Sequence, residues 1–135
     1  MTDSGEKFDH FVDIVRKLRS AKGCPWDREQ SPLSLKRYLL EETHELLEAI
    51  DANDQEHVKE ELGDLLYLII LLAQIHSEEH FFDIGEVIAA ISAKMVRRHP
   101  HVFNEQIIES AAELRQNWLE IKRREKADRI KPKKN

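Results

Sequence analysis

Glu42 and Glu45, three residues apart, and Glu61 and Asp64, again three apart, are the residues whose types and spacing best suit a chemical task. A separation of three puts both members of a pair on one face of a helix. Between the pairs lie Asn53 and Asp54, turn and capping residues that predict a connection of two or three residues and hence an antiparallel helix hairpin. Counted from a turn centred between Ala52 and Asn53, Glu45 and Glu61 fall at nearly the same height, and Glu42 and Asp64 match one level further out. Four carboxylates then converge. In a partly dry site they would repel one another and resist ionising unless a cation stood among them. Oxygen-only ligation selects magnesium, manganese or calcium over zinc, and Mg2+, with Mn2+ as a substitute, is the expected cofactor because magnesium is the usual companion of phosphate substrates. Asp64 sharpens the case because it sits in a helix that is otherwise apolar from Leu62 to Leu72. Glu48, Glu56 and Glu60 read instead as a solvated face. Glu41, four residues before Glu45, fits either the site itself or a hydrogen bond to a group beside it.

The elements that must position these acids are helical. Phe8, Phe11, Val12, Val15 and Leu18 recur at spacings of three and four, which predicts a first helix from about Glu6 to Ala21, stopped by Gly23 and Pro25. Residues 23–30 read as a loop. Ser31 as cap and Pro32 at the first helical position open a second helix that reaches about Ala52. A third runs from the Asn53-Asp54 turn to about Glu79, and its stretch Leu62 to Ile75 is apolar nearly all round, so it must be covered on more than one side. A second copy of the chain is the expected cover. Asp83 with Glu86 reads as a capping box for a fourth helix, stopped after Arg98 by Pro100. A loop through Phe103 and Asn104 follows, then a last helix from about Ile108 to Ala127 carrying Leu114, Trp118 and Ile121 at helical spacing.

Composition agrees with an all-α bundle of four to five helices: 41% of the 135 residues are apolar, while glycine and proline number only four each. The length fits one domain over residues 1–127, with a basic, disordered tail over 128–135. The single cysteine, Cys24, excludes an intramolecular disulfide and points to a reducing cytoplasm. The amino terminus has no apolar signal core, and the longest apolar run is far short of the roughly 20 residues that span a bilayer, so neither export nor membrane insertion is expected. The net charge of −5 is uneven. Residues 122–135 hold eight basic and two acidic residues, which leaves 13 basic and 24 acidic ones, a net of −11, on residues 1–121. So acidic a body argues against a nucleic-acid partner.

The chain offers no evident nucleophile, since Cys24 precedes a proline in a loop and no serine lies in a glycine-flanked elbow. Water is then the attacking group, activated by metal, with a carboxylate such as Glu45 taking the proton. Lys94, Arg97 and Arg98 cluster at one helix end, where they could bind phosphate or simply complement the helix dipole. Trp26 and Trp118 could stack on a base or belong to the core. Seven histidines form no HExxH-type pair, and His99 and His101 suit structural or surface roles as well as catalysis.

Glu41-Glu42-Thr43-His44-Glu45, followed after fifteen residues by Glu61-Leu62-Gly63-Asp64, resembles the EExxE and ExxD motif pair of the MazG family of nucleoside triphosphate pyrophosphohydrolases. Cys24-Pro25-Trp26-Asp27 with Gln30 resembles a loop of that family, and Arg97-Arg98-His99-Pro100-His101-Val102-Phe103 resembles the end of its fourth helix. The resemblance implies an all-α homodimer or larger assembly that cleaves the α–β bond of a nucleoside triphosphate with magnesium. It implies Glu42, Glu45, Glu61 and Asp64 as metal ligands, Lys94 and Arg98 as phosphate contacts, and Trp118 with Lys122 as substrate contacts. Related all-α pyrophosphatases acting on deoxyuridine, deoxycytidine or phosphoribosyl nucleotides remain alternatives, as does a module that senses a nucleotide without cleaving it.

Overall fold

The computed structural model describes residues 3–105 and 107–130, and all that follows concerns these. They are helical, with no strand among them: α1 (Ser4–Arg19), α2 (Pro25–Glu29), α3 (Pro32–Asp51), α4 (Gln55–Glu78), α5 (Ile84–Arg98), α6 (Pro100–Phe103) and α7 (Ala111–Ile130). Two compact units result, one through Ile84 and one from Gly85 onward.

In the first unit the hairpin forms as its sequence predicts. Ser31 caps α3 by accepting from the Ser34 amide, Ser34 Oγ accepts in return from the Ser31 amide, and Pro32 takes the first turn, where no amide is needed. Asn53 then adopts a left-handed backbone with φ of 54°, which asparagine tolerates better than most residues, and Asp54 accepts from the His57 amide to start α4. α3 and α4 pack along each other, and α1 packs on α4. Val12 and Val15 of α1, Leu35 of α3, and Leu68, Ile70, Leu71 and Ile75 of α4 form the core. The far side of α4 stays open in the single chain: Leu62, Leu66 and Ile69 remain 53%, 41% and 43% exposed.

The segment 23–30, expected as a loop, holds one turn of helix, α2, with Pro25 at its start. Its approach requires Gly23, because a Cβ there would stand 2.1 Å from the Leu18 carbonyl oxygen. Arg19 pins the segment. Its guanidinium donates to the carbonyls of Asp27, Arg28 and Gln30 and pairs with Glu78 at 3.0 Å, while Tyr67 of α4 donates its hydroxyl to the buried Asp27. Burial and the Asp27 carboxylate push the Tyr67 phenol well above its ordinary range, so it stays a donor.

In the second unit, Phe103 likewise closes a short helix, α6, where a loop was expected, and Asn104 follows it as the C-cap. α7 starts at Ala111 and runs past Ala127 to Ile130, so residues 128–130, expected in the tail, extend the helix. The rest of that expected tail, residues 131–135, lies outside the described residues. No helix among the described residues is long and apolar enough to cross a membrane.

Candidate metal centre

Glu42 and Glu45 on α3 face Glu61 and Asp64 on α4, and one oxygen from each of the four lies within 4.8 Å of the others. The equal heights inferred from the turn are thus realised. Glu61 is 5% exposed, and Glu42 is half-buried, whereas Glu45 and Asp64 are open to solvent, so the cluster has a dry floor and a wet mouth. Glu42 Oε2 and Glu61 Oε2 are buried without a hydrogen-bond partner among the described residues. Buried carboxylate oxygens are rarely left so, and their presence on two members of an all-oxygen cluster fits a hard divalent cation. Glu41 is not in the group and is exposed.

Crowding shows in the acidity of Glu42. Burial, then its contact with Glu61, then the nearby charges of Glu45, Asp64 and Glu61 raise its pKa from 4.5 to about 7. A carboxyl that holds its proton more tightly folded than unfolded favours the fold fully below its ordinary value and loses that contribution as pH rises through its folded value. Metal-free protein should therefore lose stability between pH 4.5 and 7. Thermal unfolding in chelator should show that decline in the parent and a flatter profile in Glu42→Gln. Identical profiles would exclude Glu42 as its source.

The other expected site residues divide between the units. Trp26 packs edge-on against Tyr38, ring centres 5.3 Å apart, and Tyr38 lies one helical turn before Glu42 on α3. The Arg37 guanidinium donates to the Tyr38 hydroxyl at 2.7 Å and lowers its pKa. In the second unit, Glu125 accepts from both Arg97 and Arg98, which hold its carboxyl down at about 2. Lys94 lines a cleft of about 540 Å³ with these groups, Arg124 and Arg129. Trp118 carries Lys122 over its ring at 4.3 Å and Arg98 at 5.8 Å, beside a cleft of about 620 Å³ that also takes in Ala111 and Leu114. His99 Nδ1 is bonded to the Met95 carbonyl.

His57, which no sequence motif marks, places its Nε2 3.1 Å from Glu61 Oε1. Its position four residues before Glu61 on one helix was the available signal. Arg19 and Tyr67 are equally unmarked in the sequence, since their partners are distant in it.

The family profile of the MazG nucleotide pyrophosphohydrolase domain matches residues 30–103, the span that holds all four acids. This chain belongs to that family. Within the MazG family it is 45% identical over 126 residues to the nucleoside triphosphate pyrophosphohydrolase/pyrophosphatase MazG of Thermotoga maritima, covering 93% of this chain and 48% of the relative. It is 42% identical over 124 residues to the nucleoside triphosphate pyrophosphohydrolase of Escherichia coli, covering 91% and 47%. It is also 50% identical over 120 residues to the uncharacterized protein YabN of Bacillus subtilis, covering 89% and 24%. The chain thus spans half or less of these relatives. A crystal structure of a mazG-related protein from Thermotoga maritima superposes with a TM-score of 0.71 at 32% identity, covering 85% of this chain and 98% of that one.

Proposed function

We propose that this chain hydrolyses the α–β phosphoanhydride of a nucleoside triphosphate, releasing a monophosphate and pyrophosphate. The observation that carries this reading is the convergence of Glu42, Glu45, Glu61 and Asp64, with two buried oxygens lacking partners, in a chain whose family relatives are named for this activity. These four residues would hold magnesium. An ion held there would supply acidification of water and compensation of charge on phosphate oxygens. Water attacks phosphorus, the bridging P–O bond breaks toward pyrophosphate, and Glu45, open to solvent at the mouth, takes the proton. Glu41, one turn before Glu45, fits a hydrogen bond to an incoming group better than ligation.

Family likeness supports Lys94 and Arg98 as phosphate contacts and Trp118 with Lys122 as substrate contacts, and Arg97 joins the first pair by its place beside them at the end of α5. For Arg97 and Arg98 the exchange is of Glu125 for phosphate, a like-for-like swap of anionic partners. Trp26 is half-open and held by α2, which suits it to meet a base. The single cysteine supports a reducing cytoplasm as the setting. Pyrophosphate release from a nucleotide panel, with magnesium and in chelator, tests the reading.

The working form is proposed to be a homodimer or larger. Leu62, Leu66 and Ile69 along α4 form an apolar stripe that the single chain leaves open, and a second copy would remove it from water. Sedimentation at micromolar concentration should show no stable monomer. A monodisperse monomer would remove the argument.

A further inference from the structure

We propose that His57 is a positioning residue for the cation site, acting through Glu61; this rests on the metal-site reading above. His57 Nε2 lies 3.1 Å from Glu61 Oε1, one turn away on α4, and with the proton on Nε2 the ring donates to that oxygen. The pairing is asymmetric. The Glu61 side chain is 6% exposed and that of His57 42%, so the bond reaches from the surface into the floor of the acid cluster. An ordinary exposed pair at this spacing contributes little, because both partners could be solvated instead. Glu61 has no such alternative.

The two oxygens of Glu61 thereby take different roles. Oε1 is committed to His57, and Oε2 is buried with no hydrogen-bond partner among the described residues, alongside Glu42 Oε2. A carboxylate turns freely about its last torsion unless something fixes it. Anchoring Oε1 removes that freedom before a cation arrives, so less is lost when Oε2 binds. His57 is itself fixed at its root, since its amide donates to Asp54 Oδ1 at 3.1 Å in the cap that starts α4. The hairpin turn, the cap, His57 and Glu61 thus form one continuous set of hydrogen bonds ending at the cluster.

The test is calorimetric titration with manganese of the full chain, the parent and three variants, without nucleotide. His57→Ala should bind manganese more weakly by about 10–100-fold, the range usual for partners that orient a metal ligand. His57→Gln, whose amide reaches Glu61 from the same position, should recover most of the affinity. Lys59→Ala, which removes an exposed ion pair on the same helix with Glu56, should bind as the parent does. A simple helix-stabilising role would move unfolding temperatures and leave the dissociation constant alone. If His57→Ala binds manganese within threefold of the parent, the positioning role is wrong and the metal site stands. If the parent itself binds no manganese, the metal-site reading falls first and takes this proposal with it.

Discussion

Glu61→Gln and Asp64→Asn should each abolish nucleotide turnover by orders of magnitude while leaving the metal-free fold as stable as the parent's, or more so. Each substitution keeps the shape of the side chain and removes one negative charge. Metal affinity depends on that charge, whereas repulsion within the metal-free cluster depends on it in the opposite sense. The two variants should differ in the second observable. Glu61 is buried beside Glu42, so neutralising it relieves a conflict in a poorly solvated place and should raise the unfolding temperature in chelator. Asp64 is exposed, where water already screens its charge, and its replacement should change stability little. Acids on an ordinary solvated face would behave differently: such substitutions usually change stability by less than about 0.5 kcal/mol and leave activity near normal. Full activity in either variant would remove that residue from the metal site.

What could be read in advance was what local chemistry dictates. Ser31 with Pro32, the Asn53-Asp54 turn and the 3.6-residue periodicity fix where α3 and α4 begin and end, and the register of the four acids follows by counting. The two short helices escaped because a single turn carries too few residues to show a period. Their one signal, a proline at the first position in Pro25 and Pro100, reads equally as the breaker that ends the preceding helix. Arg19 escaped for another reason. Its carbonyl partners and Glu78 meet only when α1, α2 and α4 have packed, and the Tyr67–Asp27 bond joins residues 40 positions apart. No spacing rule reaches across such a separation. His57 was within reach of one, but among seven histidines nothing in the sequence marks the one whose partner is buried.

The acidity of Glu42 also bears on how a cation would be taken up. A carboxyl with a pKa of about 7 is partly protonated near neutrality, and a metal must displace that proton before the oxygen can bind it. Cation binding there would therefore release a proton. The open mouth formed by Glu45 and Asp64 would let both exchange with solvent, while the drier floor of Glu42 and Glu61 would strengthen the attraction once the charge is balanced.

The most direct test of the central claim is to follow the phosphorus products of one turnover series by phosphorus NMR, with a nucleoside triphosphate, the purified chain and magnesium. With the four carboxylates holding the cation and water attacking to break the α–β bridge, nucleoside monophosphate and pyrophosphate should appear in equal amounts. Neither should form in chelator or with Glu61→Gln. Orthophosphate and nucleoside diphosphate as the first products, or unchanged turnover in chelator, would contradict the account.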